Sequence, residues 1–576
     1  MKFIKNIKHF IFVIGSQKKK YFFFLIFLLI LQSFLELFSL VLVIPIINLL
    51  LNEKINFFSN ILILLNLEIV DSKENVILFF LSIVLFFFIF KNLSLYKINK
   101  LYLDFAFDVQ TSLKNYIFYS YLNKNYDEIK TSKLISNLSV NCTLLSNTFT
   151  VPLMILSSEL LILILILFFL FFFYTKAFLV LFFFIVIIGF IYFSIISGKL
   201  KKIGIIKEIN ENRQVNAITN AIGSIKISRI YNIEKKLFSD FSIFNKNSSL
   251  SLSKLNLLSN LPRFILELIG FLGLSSVLIY LILSNVSDQE VILTIGIFSV
   301  SAFKIMPSIN RIMNAIQHIN FSDSIFLSLL NNIIKPIDLK NIKIIKKNKK
   351  LIKKNISFSN VNFSYPDSDK KIFKNLNFNL KRGINIGITG ESGIGKSTFL
   401  DLLLGFRNIS MGLITIDGKK VNSLQDEWLH NFSYVAQENY MFDDTLLNNI
   451  ILNEKKINKE NLFKIHIILK ALKIDSLIIS NPDGINMKIG EKGVKLSSGQ
   501  LQRIAIARAI FLNRPFIVMD EPTNALDFET EQYFFSNVKK ICNSTFVIVS
   551  HTMKTFKNCD IIYKFYEGGR MKIIKN

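Results

Sequence analysis

Six long apolar stretches, all before about residue 315, constrain this chain more than any other feature of its sequence; they run at about 21–51, 76–90, 151–174, 177–197, 264–283 and 291–313. A bilayer core takes about 20 apolar residues of helix, and backbone inside it must satisfy its own N–H and C=O groups. The stretches therefore predict membrane-crossing helices. Composition agrees: of 576 residues 51% are hydrophobic and 58 are Phe, with a mean hydropathy of +0.44. Only Thr175 and Lys176 separate the third stretch from the fourth, which predicts a tight helical hairpin. The first stretch is too long for a signal peptide and shows no small-residue cleavage site, so it reads as a retained helix.

Charge between the stretches sets their orientation. Lys91, Lys97 and Lys100 follow the second, and Lys199, Lys201 and Lys202 the fourth, whereas Glu53, Glu68, Asp71, Glu74, Asp288 and Glu290 follow the first and fifth. The excess of lysine marks the cytoplasmic side, placing both termini there, in an inner (cytoplasmic) membrane. The connections at about 91–150 and 198–263 are too long for bare loops, so they read as membrane helices continued into the cytoplasm, each turning back through a short helix. Phe57 to Val70 reads as an interfacial helix, apolar but too short to span. The net charge of +27 is spread through the chain with no basic patch interleaved with aromatics, which argues against a nucleic-acid partner. Cys142, Cys542 and Cys559 lack metal-ligand spacing and read as free thiols.

A lysine-rich linker at 336–355 closes a membrane domain of 1–335 and leads to 356–576, where short apolar runs alternate with helical spacing. Five such runs, Phe358 to Tyr365, Ile384 to Thr389, Leu413 to Asp417, Phe516 to Asp520 and Thr545 to Ser550, predict an α/β domain. Between the second run and a helix lies Gly390-Glu391-Ser392-Gly393-Ile394-Gly395-Lys396-Ser397-Thr398. Glycines there let backbone N–H groups turn toward a phosphate at a helix N-terminus, Lys396 reaches the terminal phosphates, and the Ser397 hydroxyl suits magnesium. Phe516 to Met519 end in Asp520, a magnesium ligand, and Glu521, placed to deprotonate an attacking water. His551 ends the next strand. Leu496-Ser497-Ser498-Gly499-Gln500 put hydroxyls and a glycine at another helix start, and the Tyr365 ring can stack on adenine.

These motifs resemble those of the ABC-transporter ATPase domain over about 360 to 565: the glycine loop its Walker A, LSSGQ its signature, VMDEP its Walker B, with Gln437, Asp527 and His551 at the Q-loop, D-loop and switch positions. The resemblance implies ATP and Mg2+ as cofactors, with Lys396, Gln437, Glu521 and His551 catalytic and Ser397, Gln437 and Asp520 on the metal. It also implies ATP bound between the glycine loop of one subunit and Ser497 to Gln500 of a second. Ser498 and Asn524 depart from the commoner Gly and Ser without removing a ligand group. Six spans before one ATPase domain look like an exporter half-transporter: an all-α six-helix membrane domain with cytoplasmic extensions, then an α/β P-loop ATPase. A homodimer is the simplest assembly, with a heterodimer as the alternative. Gly490-Glu491-Lys492-Gly493 resembles the exporter-specific loop.

For cargo the sequence offers charges within the spans: Glu36, Glu159, Glu267, Lys304 and Arg311. Left facing lipid, each would cost about 2.5 kcal/mol or more. Either they pair with one another, as Glu36 with Lys304, or Lys304 and Arg311 attract an anionic head group near Glu36. The strings around Glu36 and around Phe303 to Arg311 look like the first and sixth spans of lipid-linked oligosaccharide flippases. That resemblance implies a polyprenyl-pyrophosphate-linked glycan as substrate and membrane lipid as a partner. Export of lipid A, other lipids or drugs is the alternative; an ATP-gated channel or regulatory ATPase is a third reading.

Overall fold

The computed structural model describes residues 2–42, 73–122, 131–173, 197–283, 288–330, 352–365, 371–421, 429–452, 458–522 and 541–575, with scattered positions between 175 and 189. Outside them lie the end of the first expected span, Phe57 to Val70, most of the fourth span, most of the lysine-rich linker, Asn524 and Asp527. The chain divides into two units, Met1–Lys343 and Ile344–Asn576.

The first unit is helical: α1 (Lys2–Val13), α2 (Gly15–Val41), α3 (Lys73–Leu122), α4 (Thr131–Phe173), α5 (Ser197–Gly223), α6 (Ile225–Ile230), α7 (Glu234–Leu283), α8 (Asp288–Phe321) and α9 (Asp323–Leu330). Among the described residues four helices are long and apolar enough to cross a membrane, Lys18–Val41, Leu78–Leu122, Thr131–Phe173 and Glu234–Ile279. The sixth expected span lies within α8. At 50 residues each, α3 and α7 are about 75 Å long, more than twice the hydrocarbon thickness, so most of each lies beyond any bilayer. This answers the expectation for the long connections: α5 returns along α7, with α6 as the short turning helix. Within that pair Lys207 donates to Glu211 and, at 3.0 Å, to Ser248 Oγ on α7. Burial raises the Glu211 pKa against the Lys207 charge.

Lys91, expected where the second span continues as a helix into the cytoplasm, is an interior residue of α3 and is buried. The helix does not break at the change of polarity, because propensity and i→i+4 hydrogen bonding carry it on through residues that suit a helix in water as well as in lipid. Helices pack closely where glycine allows: a Cβ at Gly204 of α5 would lie 2.0 Å from the Phe321 carbonyl oxygen at the end of α8. The α1 helix is held by Phe10 against Phe149 of α4, which meets Phe326 of α9 at 4.6 Å between ring centres.

The second unit contains two sheets. Strands β1 (Asn355–Ser364), β2 (Lys371–Lys381), β4 (Met411–Ile416) and β5 (Lys419–Lys420) form an antiparallel sheet ordered β2-β1-β4-β5. The other sheet runs β10-β9-β3-β8-β7-β6, from β3 (Ile386–Thr389), β6 (Phe432–Val435), β7 (Phe516–Asp520), β8 (Thr545–Val549), β9 (Ile561–Tyr566) and β10 (Arg570–Lys575). Its neighbours are parallel except β9 with β10. Side chains alternate across a strand, so Phe516 and Val518 enter a core with Phe399 and Leu403, while Ile517 and Met519 enter another with Ile504 and Ile465. Burial on both faces is why these strands read as unbroken apolar runs. The five expected runs are β1, β3, β4, β7 and β8; the sequence missed β2, β5, β6, β9 and β10, and in β2 and β10 the alternation is interrupted by Asn and Lys.

Candidate ATP site

Strand β3 ends at Thr389 between β8 and β9, where the chain order of the parallel strands changes sides, and crevices at such points take ligands. The chain leaves it through Gly390 (φ 155°), Gly393 (φ 77°) and Gly395 (φ 106°), and helix α10 (Lys396–Leu404) follows. A side chain at Gly395 would be strained by that φ, and its Cβ would meet Ile372 at 2.9 Å. The loop therefore needs glycine to bring its N–H groups round to the helix start. Lys396 is buried, and its ammonium donates to the carbonyls of Gly390 at 2.8 Å and Glu391 at 2.7 Å. Burial lowers its pKa, with Glu521 and Asp520 opposing the shift. Ser392 and Ser397 are exposed, Ile394 is half-buried and Thr398 is buried.

Asp520 is the last residue of β7, and Glu521 follows it. Burial, then the charge of Glu521, pushes Asp520 up to about 6, with Lys396 pulling the other way. Glu521 takes φ 48°, a left-handed conformation that costs a residue with a Cβ about 1 kcal/mol or more. Its backbone is tied at both ends: N–H donates to Val549 O at 2.9 Å, and the carbonyl accepts from Gln502 Nε2 at 3.1 Å. Its carboxylate accepts from Gln437 Nε2 at 2.9 Å and lies 2.9 Å from His551 Nε2. Residues from four separate places in the sequence thus meet at one sheet end. Among the described residues no three His, Cys, Asp or Glu gather as a metal cage. The Asp520 carboxylate and Ser397 hydroxyl, with the Gln437 amide, are hard oxygen donors of the type magnesium takes when phosphate and water supply the remaining ligands.

Two placements sharpen the expectations. Ser497 caps α11 (Ser498–Phe511): its hydroxyl accepts from Gln500 N at 3.3 Å while Gln500 Oε1 accepts from Ser497 N at 2.9 Å. Two N–H groups of that helix start are thus already satisfied from within, which leaves the exposed Ser498 and the backbone at Gly499 as its outward donors. Tyr365 bonds Thr398 Oγ1 through its hydroxyl at 3.0 Å, and the Arg407 guanidinium lies 4.6 Å from its ring centre, so one face of the ring is covered. Arg407 is in turn held by Asp401 of α10 at 2.8 Å.

Gln502 escaped the sequence reading. It sits with Ala505, Ile506 and Ala509 at i, i+3, i+4 and i+7 on the buried stripe of α11, and a polar residue on such a stripe is the signal that could have found it. Gln502→Leu should lower kcat for ATP hydrolysis about tenfold with KM changed less than about twofold, because it frees the base and not the nucleotide. Steady-state kinetics of the purified protein check this; a matching rise in KM would assign Gln502 to nucleotide binding.

In the first unit the span charges are paired. Glu36 Oε2 accepts from Lys304 at 2.7 Å and from Lys91 at 3.2 Å. Arg311 grips Glu159 with two bonds, of 2.5 and 3.1 Å. Glu267 pairs with Arg263 at 3.1 Å on an exposed face. Lys304 and Arg311 therefore do not stand free for a ligand, as the head-group expectation would have them; low-dielectric surroundings make an acid the first neighbour each needs.

Residues 373–524 match the protein-family model described as "ABC transporter". A solved structure of a bacterial Atm1-family ABC exporter with ATP bound superposes with a TM-score of 0.75 at 18% identity, covering 94% of this chain and 93% of that one. The fold is that of an ABC exporter. The ATP-dependent lipid A-core flippase of Wigglesworthia glossinidia brevipalpis is 30% identical over 386 residues, 66% of this chain and 65% of that protein. The corresponding flippase of Pasteurella multocida is 29% identical over 340 residues, 58% of this chain and 57% of that protein. ABC transporter B family member 13 of Arabidopsis thaliana is 35% identical over 213 residues, 37% of this chain and 17% of the relative. The chain thus spans less than two thirds of the length of these curated relatives.

Proposed function

We propose that this chain is an ATP-driven exporter, acting as a homodimer in a cell inner membrane and moving an amphipathic lipid with an anionic head group outward by alternating access. The reading is carried by the convergence of Lys396, Asp520, Glu521, Gln437 and His551 at one sheet end of a chain whose other unit has helices long enough to span. In the proposed reaction the loop from Gly390 to Thr398 binds the phosphates, with Asp527 and the partner's Ser497, Ser498, Gly499 and Gln500 closing over them and Tyr365 stacking on the base. Bound magnesium, held with Ser397, Asp520 and Gln437, supplies charge neutralisation of the phosphates. Glu521 accepts the proton of the attacking water, and His551 and Gln437 hold that carboxylate in place.

The substrate we favour is a polyprenyl-pyrophosphate-linked oligosaccharide, on the strings around Glu36 and Lys304. A second reading, lipid A-core, is favoured by the flippases whose similarity extends beyond the ATPase domain. Both are glycolipids with phosphoryl groups. The test is translocation in proteoliposomes of each lipid, with a neutral glycosyl diacylglycerol as third arm. ATP-dependent flipping of a phosphorylated lipid is the expected result, and the better substrate separates the two readings. Flipping of the neutral lipid alone would overturn the head-group assignment, and ATP hydrolysis without movement of any lipid would overturn export.

A further inference from the structure

Glu36, Lys91 and Lys304 belong to three helices, α2, α3 and α8, and meet at one atom. Both ammoniums donate to the same carboxylate oxygen, at 3.2 and 2.7 Å. A fold that needed only to neutralise Glu36 would use one lysine; a second brings like charges together around one anion and leaves the group at +1. Glu159 does not offset this surplus, being gripped by Arg311. Lys91 is deeply enclosed, 3% exposed, with its ammonium 4.7 Å from the Phe88 ring centre. Lys304 is the accessible member, at 26%. One turn away on α8 the Ser301 hydroxyl is fully buried, with no hydrogen-bond partner among the described residues. A buried ion cluster is weak evidence for stability, and charge within a span is by default functional.

We propose that Lys91 and Lys304 form a site for one phosphoryl group of a lipid substrate, in which Glu36 is a resident counter-anion that gives up its place when the substrate enters. The inference rests on the anionic-lipid reading above and deepens it. A phosphoryl group brings several acceptor oxygens where Glu36 offers two, and a charge of −1 to −2 that matches two ammoniums better than one carboxylate does. Ser301, one turn from Lys304, adds a hydroxyl in need of a partner. While substrate is absent Glu36 keeps both lysines from standing unpaired in low dielectric; once substrate has left, it takes them back, so the site is never a bare pair of cations.

Opposite signs make the test. Full-length protein in proteoliposomes is titrated with polyprenyl-pyrophosphate oligosaccharide and, separately, with lipid A, reading the lipid concentration for half-maximal stimulation of ATP hydrolysis. Lys91→Met should raise that concentration about tenfold and Lys91→Arg should restore most of it, while Glu36→Gln should lower it, because the competitor is gone. If Glu36→Gln and Lys91→Met both weaken stimulation, or neither moves it, the cluster is structural and the proposal falls, while wild-type flipping of the same lipids keeps the anionic-lipid reading. If neither phosphorylated lipid stimulates or is moved by the wild-type protein, both fall together. Strong stimulation by only one of the two lipids identifies the source of the phosphoryl group and supports the site.

Discussion

Glu521→Gln is expected to cut ATP turnover at least about 10²-fold while nucleotide still binds, the loss usual when a positioned general base is removed. The substitution keeps size, and its single oxygen can still accept from Gln437 while its NH2 faces His551 Nε2; what disappears is basicity. Binding is carried elsewhere, by the glycine loop and Lys396. The check is hydrolysis beside equilibrium binding of a fluorescent ATP analogue: wild-type turnover would remove Glu521 from its role, and lost binding would show that the carboxylate also shapes the nucleotide pocket. Because Glu521 holds a left-handed backbone, a glycine there should remove strain yet still abolish turnover, which separates conformation from chemistry.

Arg311→Met is the second large effect, and it acts on stability. Glu159 is 8% exposed on its side chain and receives both guanidinium bonds of Arg311, so its loss leaves a carboxylate enclosed without a counter-charge. Breaking a buried pair costs about 3–5 kcal/mol; Arg311 itself is half exposed, which puts this case at about 3 kcal/mol or less. The melting temperature of the detergent-solubilised protein should fall clearly, and Arg311→Met combined with Glu159→Gln should recover most of the loss. No recovery in the double variant would mean that the arginine matters for its packing rather than its charge.

How much was legible in advance follows the range over which each signal acts. Apolar length and period are local properties, so the spans in α2, α3, α4, α7 and α8 stood out in the sequence, and so did the strand-loop-helix context around Gly390 to Thr398. Lys91 was read correctly as part of a continuing helix but not as buried against Glu36, because a lysine after a phenylalanine run looks the same whichever way its side chain faces. The order of the parallel strands did not emerge, since runs buried on both faces carry no mark of their neighbours. Tyr365 was recognised as a ring able to stack, but not that Arg407 already covers one face.

The sequence alone thus determined the element types, the energy source expected of the chain and the residue kinds available to bind phosphate, because these depend on composition and spacing along one stretch of backbone. Tertiary structure decided which groups meet. Gln437 and His551 reach Glu521 from two other strand ends, Gln502 holds its carbonyl from α11, and Glu36 is shared by lysines 55 and 268 residues away. Such partners are chosen by how helices rotate against one another and how strands order in a sheet. Those choices follow from burying whole faces, and no local pattern encodes which charge will then stand opposite which.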